Sequence, residues 1–395
     1  MKILYYKLRA ILVTKLLRWI PRNAPLVLKG ENSSLQLADQ LSLLGYHNVL
    51  LVTDTILREL GVLNELLATL QRNGAEVSVY DGVLPDPAFD QVQAGEKIYR
   101  ENNCDAIFAV GGGSVLDAAK MISMLHTNPG ELKSFAGIQP CKYAGAPLFV
   151  APTTAGTGSE ITFAAIITDP VSHDKQPIID SKMIPSYVAL DPQLMRGMPP
   201  AVTAASGMDA LTHAVESYLS KASTAQTELQ AIAAVKLVFD NLVRAYRDGD
   251  DMEARDAMAM AAFYAGAAFG KTSVGYVHGI AHQLGRVCGT PHGNANAMVL
   301  PEVLRAYGSC VDSRLAVLAR AVDMQGDSDA ELASQFIESI VAMRAQMEMP
   351  TQPKGLKTED IALITRQALA EAGSLYPVPR YMKAAEIREI VGALV

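Results

Sequence analysis

The stretch Ala106-Ile-Phe-Ala-Val-Gly-Gly-Gly-Ser-Val-Leu-Asp-Ala-Ala-Lys120 decides the fold. Ala106 to Val110 is a short, continuous apolar run that reads as a buried strand. Gly111-Gly-Gly-Ser114 ends it and opens a helical pattern running to about His126. Upstream, Asn48-Val-Leu-Leu-Val-Thr-Asp54 reads as a strand ending in an acid, followed by a helical pattern from about Leu57 to Arg72. Glu76 to Tyr80 reads as a strand and Phe89 to Asn102 as a helix. Downstream, Pro147 to Ala151 reads as a fourth strand. Strands alternating with helices in this way form a parallel, doubly wound sheet.

Short β-rich runs follow at Ile161 to Thr168, Gln176 to Ile179 and Tyr187 to Leu190. After Pro200 helical periodicity dominates to Val395, with breaks expected at Gly249, Gly289, Pro301, Gly326, Pro350 and Pro377. The expected division is a basic N-terminal extension over 1–25, an α/β domain over 26–195 and an all-α domain over 196–395.

The 395 residues are half apolar and 19% charged, which argues against disorder. A net charge of -7 without a long basic run argues against nucleic acid as a partner. Cys104, Cys141, Cys288 and Cys310 are far apart and form no C-x-x-C, so they read as reduced thiols of a cytoplasmic protein. No apolar run reaches the ~18 residues of a membrane span. Lys2, Lys7, Arg9, Lys15, Arg18 and Arg22 interrupt an apolar pattern at helical spacing. This makes a poor signal peptide. Packing on the protein itself or on a partner subunit is favoured for residues 2–22 over contact with a membrane surface.

Two loops have the chemistry of a phosphate cradle. The glycines at 111–113 let the backbone approach a ligand, and the helix that follows offers free N–H groups and a positive dipole end. Ser114 either caps that helix or donates to a phosphate oxygen. The pattern is not G-x-G-x-x-G, so a plain tight turn is the alternative. Pro152-Thr-Thr-Ala-Gly-Thr-Gly-Ser-Glu160 is a second hydroxyl-rich loop at the same edge of the sheet, where open α/β sheets bind ligands. Asp54 either accepts from a ribose hydroxyl and repels a 2′-phosphate, or caps the next helix.

Four of the seven histidines fall in two segments, Ala205-Ser-Gly-Met-Asp-Ala-Leu-Thr-His213 and Gly275 to Gly293. Asp209 and His213 are four apart, as are His278 and His282, so each pair shares one helix face. A single Asp-His pair at this spacing is usually a surface hydrogen bond. Two pairs and a Pro-His-Gly turn at His292 point to a divalent transition-metal site.

Together these segments resemble the iron-containing (group III) alcohol dehydrogenase family, from roughly Leu26 onward. The carriers are Gly111 to Ser114 with Asp117 and Lys120, Pro152 to Glu160, Gly207-Met-Asp-Ala-Leu-Thr-His213, and His278 to Gly293. The resemblance implies a Rossmann-like NAD-binding domain joined to an all-α metal-binding domain, in a dehydroquinate synthase-like architecture. It implies Asp209, His213, His278 and His292 as metal ligands, and His282 beside nicotinamide and substrate. Gly112, Gly113 and Ser114 match the pyrophosphate loop, and Thr153, Thr154 and Thr157 the cofactor-contacting threonines. Lys175 matches a lysine near the cofactor, and Asp54 the position linked to preference for NAD over NADP. The resemblance favours Fe²⁺, whereas ligand type alone admits Zn²⁺ equally.

The implied reaction moves hydride between a small alcohol or aldehyde and the nicotinamide, with the metal as Lewis acid and His282 either relaying a proton or packing as a neutral ring. The active site is expected near residue 195, between the domains, in a homodimer or higher oligomer. One rival is a dehydroquinate synthase-like lyase, which needs Glu in place of Asp209 and several cations, whereas residues 200–300 offer only Lys271 and Arg286 near the histidines. The other is a non-catalytic membrane-associated protein using residues 1–22.

Overall fold

The computed structural model describes residues 24–170 and 175–395, so the amphipathic segment expected at 2–22 lies outside the described residues. Two compact units divide the described chain, one ending at Met198 and the other starting at Pro199.

The first unit runs β1 (Leu26–Lys29), α1 (Ser33–Leu43), β2 (Asn48–Val52), α2 (Thr55–Glu59), α3 (Asn64–Arg72), β3 (Glu76–Tyr80), α4 (Phe89–Glu101), β4 (Ala106–Gly111) and α5 (Gly113–Thr127). It continues through β5 (Gly137–Ile138), β6 (Leu148–Pro152), β7 (Ala164–Thr168), β8 (Lys175–Ile179) and β9 (Tyr187–Leu190). Six strands form one parallel sheet in the order β1-β9-β6-β4-β2-β3. Val49 to Val52 and Ala106 to Val110 are wholly buried. That is why these strands read as continuous apolar runs rather than alternating ones. Val49, Leu51, Phe108, Val110 and Phe149 pack with Leu37 and Leu41 of α1 and Leu66 and Leu70 of α3. Helices α4 and α5 lie against the same sheet. A second sheet, β5-β8-β7, contains the β7–β8 antiparallel pair.

The chain reverses direction across the sheet between β2 and β4, which are neighbours although β3 intervenes in sequence. Such a switch point leaves a crevice outside the carboxyl ends of the two strands. Thr53, just past β2, donates through Oγ1 to the carbonyl of Val110 at 2.9 Å and ties the two strand ends together. Gly111 of β4 and Pro152 of β6 are register partners, so both glycine-bearing loops leave adjacent strands at one level.

The second unit is helical throughout its described residues: α6 (Pro200–Leu219), α7 (Ala225–Arg247), α8 (Met252–Thr272), α9 (Tyr276–Cys288), α10 (His292–Tyr307), α11 (Asp312–Ala321), α12 (Asp329–Gln346), α13 (Ile361–Leu375) and α14 (Ala384–Gly392). Several starts are capped by side chains. Thr224 forms a capping box with Thr227, and Asp251 and Ser328 accept from Ala254 and Glu331.

Three expectations need correction. The pattern from Leu57 to Arg72 is two helices, because Gly61 takes a left-handed conformation (φ 71°) between them. Pro301 does not break the chain but lies inside α10. Its ring removes the N–H that would serve the carbonyl of Ala297, and Arg344 donates to that carbonyl instead at 3.3 Å. Strand β1 and helix α1 were not expected. The strand is four residues long and only part-buried, so it carries little apolar signal.

Candidate functional site

In the helical unit, α6 presents Asp209 and His213 on one face, α9 presents His278 and His282, and His292 is the first residue of α10. Gly293 explains how α10 reaches α6. A Cβ at that position would stand 2.0 Å from the carbonyl oxygen of Ala205, so only glycine allows the backbones to meet and His292 to approach Asp209.

Ligand-type atoms of Asp209, His278 and His292 all lie within 4.8 Å of one another. Asp209 Oδ1 is 3.3 Å from His292 Nε2, 3.6 Å from His278 Nε2 and 3.8 Å from His213 Nε2. The His213 ring is stacked between Phe269, at 4.0 Å, and His278, at 4.6 Å. Burial alone would raise the Asp209 carboxyl, but His213 and His292 hold it well below the usual range. Burial likewise disfavours charge on His278, yet Asp209 and Glu216 push it up to about 9. A cation held at a His278 ring nitrogen would have to compete with the proton there.

Asn296 tests whether this donor set fits a cation. Its Nδ2 donates to Asp209 Oδ1 at 2.8 Å and stands 3.2 Å from both His278 Nε2 and His292 Nε2. The amide nitrogen thus faces one carboxylate oxygen and two ring nitrogens, whose roles depend on their protons, while its Oδ1 is buried without a partner. The convergent atoms are served incompletely by a neutral amide and match the N/O set of a divalent metal.

Two carboxylates behind the histidines were missed by sequence reasoning. Glu216 Oε2 lies 2.7 Å from His278 Nδ1, and Glu216 also accepts from the N–H groups of Gly275 and Val277 at 2.7 Å each. Its place three residues after His213 on the same helix was a legible signal. Glu371 Oε1 lies 2.6 Å from His282 Nδ1 and accepts from Tyr376 Oη at 2.6 Å; Gln283 donates to its Oε2 at 2.9 Å. Burial works to raise this acid, but His282 holds it below the ordinary carboxyl value. No sequence spacing pointed to Glu371, which is 89 residues from His282.

In the α/β unit the glycine loop leads into α5, with Gly112 extended at the helix start and no side chain capping it. Ser114 therefore does not cap the helix, and the first-turn amides are available to an anion. Thr153 N–H donates to the carbonyl of Gly111 at 3.0 Å. A Cβ on Gly112 would meet Thr154 at 3.4 Å, and one on Gly113 would meet Thr157 at 2.7 Å, so the two loops are in contact. Asp54 follows β2 at the switch point and caps α2, its Oδ1 accepting from Leu57 N–H at 2.9 Å. The cap uses one oxygen and leaves Oδ2 for another donor. Lys175 lies in β8, where its partner is the carboxylate of Asp86 at 2.5 Å rather than either loop.

Residues 24–192 match the model of the family described as iron-containing alcohol dehydrogenase, and residues 203–395 match its C-terminal counterpart. Over 352 residues the chain is 38% identical to alcohol dehydrogenase 4 of Saccharomyces cerevisiae, covering 88% of this chain and 91% of that one. It is 34% identical to the NAD-dependent methanol dehydrogenase of Bacillus methanolicus, covering 92% and 96% of the two chains. A crystal structure of 1,3-propanediol oxidoreductase superposes with a TM-score of 0.92 at 36% identity, covering 96% of this chain and all of that one. Glycine loop, paired histidines and both halves of the fold thus agree with whole-length similarity, and the chain belongs to the iron-containing alcohol dehydrogenase family of NAD-dependent oxidoreductases.

Proposed function

We propose that Asp209, His213, His278 and His292 hold a divalent metal, iron by preference and zinc as the alternative, and that the substrate is a short, uncharged alcohol or its aldehyde. The convergence of Asp209, His278 and His292, with Glu216 behind His278, carries this reading. When bound, the metal supplies Lewis acidity at the substrate oxygen and the nicotinamide exchanges hydride with the substrate carbon. Asp209 contributes a full negative charge to the donor set, and Glu216 fixes the His278 ring. Lys271, one of the two cations expected near the histidines, is engaged with Gln226 at 2.9 Å.

Gly112, Gly113, Ser114, Thr153, Thr154 and Thr157 are the cofactor-binding residues of this reading, with Asp54 selecting NAD; Lys175 is assigned on family resemblance alone. Asp54→Gly is expected to improve kcat/KM for NADPH relative to NADH by at least about tenfold, because a carboxylate facing a 2′-phosphate is removed. Glycine at this cap costs only a few tenths of a kcal/mol, so unfolding does not obscure the result. Unchanged selectivity would make Asp54 a helix cap only.

His282, 41% exposed in its side chain, is the proton-handling residue of the reading. With Nδ1–H given to Glu371, its Nε2 is left to accept or return a proton. Glu371→Gln keeps the shape but removes the charge that orients this ring. We expect kcat to fall roughly tenfold to a hundredfold with metal content unchanged; parental kcat would show the pair to be structural.

Among the described residues no helix is long and apolar enough to cross a membrane. Cys104, Cys141, Cys288 and Cys310 are all free thiols, which supports the reducing cytoplasm as location. Self-association as a homodimer or larger assembly completes the proposal. The deciding experiment is NADH oxidation with short aldehydes by protein stripped with chelator and reloaded with Fe²⁺ or Zn²⁺. Turnover restored by either metal is expected; none with both would overturn the reading.

A further inference from the structure

We propose that Lys120 is a positioning residue for the cofactor: with Asp117 it clamps the 152–160 loop onto helix α5, so that the two glycine-bearing loops form one rigid cradle. This rests on the reading that these loops hold the nicotinamide cofactor.

Lys120 is fully buried and among the largest side chains to be so. A buried ammonium is tolerated only when its hydrogens are used. Here all three are: Nζ donates to Ser159 Oγ at 2.8 Å, Ala164 O at 2.8 Å and Thr162 Oγ1 at 3.2 Å. Asp117, one turn earlier on α5, accepts from Ser159 Oγ at 2.6 Å and from Ile166 N–H at 2.9 Å. Its Oδ1 is 3.6 Å from the ammonium. Ser159 Oγ is thus the node, donating to the acid and accepting from the base. The pair grips the chain at 159, 162, 164 and 166, along the segment that carries the threonine loop into β7.

The same helix begins with Gly113 and Ser114. The loop it holds touches its first turn, where a Cβ on Gly113 would come within 2.7 Å of Thr157. Packing alone does not explain the choice of residue. Apolar side chains of similar volume in place of the whole set of Lys120, Asp117 and Ser159 would fill the site at equal or better stability, whereas replacing Lys120 alone strands the carboxylate and hydroxyls it serves. What the ammonium adds is direction: three hydrogen bonds that fix where the loop ends. A loop fixed before binding loses less conformational freedom when the cofactor arrives, so affinity rises without a new contact.

The test compares Lys120→Met, which keeps the volume, with Ser159→Ala, which deletes the node but leaves the ammonium two partners. NADH binding is measured by fluorescence on chelator-stripped protein, independently of turnover. Steady-state constants are then measured on the reloaded enzyme, below the melting temperature of each variant. We expect Kd and KM for NADH to rise roughly tenfold or more, as for one lost charge-assisted hydrogen bond, with kcat at saturating NADH within about twofold of the parent. If Lys120→Met does not fold, Ser159→Ala alone decides. Parental NADH affinity in folded Ser159→Ala, or a loss of kcat with KM unchanged, overturns the clamp. Gly113→Ala, which drives a Cβ into Thr157, separates the two readings. If it weakens NADH binding while Ser159→Ala does not, the clamp fails and the cofactor loops stand. If neither variant changes binding, both readings fail.

Discussion

Replacing His278 by alanine is expected to empty the metal site and lower kcat by roughly 10³-fold or more, the loss of about 4 kcal/mol of electrostatic stabilisation at the substrate oxygen. His278 is 2% exposed and central to the cluster. Its Nδ1 is 2.7 Å from Glu216, and its Nε2 is 3.6 Å from Asp209. Removing the ring takes away one donor and separates Glu216 from the site it supports. Asp209 keeps His213 and His292, one ligand fewer than the proposed set, so the ion is lost more readily to a chelator. The cofactor loops belong to the other compact unit, so NADH binding by the variant should stay near the parental value. Metal content after dialysis, turnover and NADH fluorescence together check this. Retained metal with full turnover would remove His278 from the ligand set.

What the sequence disclosed, and what it withheld, follows from how local each signal is. Strands β2, β4 and β6 were legible because burial on both faces leaves an unbroken apolar run between helices. The helix after Gly112 was legible because the glycines and the apolar period adjoin. Asp209 with His213, and His278 with His282, announce themselves because i, i+4 spacing is local geometry. Pro301 misled for the opposite reason. The carbonyl it orphans is served by Arg344, 47 residues away, and no local rule foresees that donor. The partner of His282 lies 89 residues away in α13, and the partner of Lys175 is Asp86 across the same distance in sequence. Tertiary hydrogen bonds of this kind decide what a titratable residue does, and spacing does not encode them.

Glu216→Gln is expected to weaken metal binding roughly tenfold to a hundredfold, the usual consequence of losing the carboxylate behind a ligating histidine. The reasoning turns on the proton of His278. Glu216 accepts three hydrogen bonds, from Gly275 N–H, Val277 N–H and His278 Nδ1–H. The first two belong to the start of α9, which no residue of its own caps. The carboxylate therefore serves as a borrowed cap from α6 and as the orienter of the ring. Glutamine has one acceptor oxygen. If that oxygen takes the place of Oε1, it keeps Val277 N–H, while its NH₂ group faces Gly275 N–H and His278 Nδ1 and favours the tautomer with the proton on Nε2, the atom the proposed metal needs. If it takes the place of Oε2, it keeps Gly275 N–H and His278 Nδ1–H but loses Val277 N–H, so in either orientation one amide of α9 is left buried without this partner, at about 1–3 kcal/mol. Glu216→Ala removes both functions and should lower the melting temperature as well as metal affinity. Competition with a chelator of known affinity, alongside thermal melting, distinguishes the roles. A glutamine variant that binds metal like the parent would reduce Glu216 to a helix cap. One that melts like the parent but loses metal would assign it to the histidine, because only the tautomer then differs.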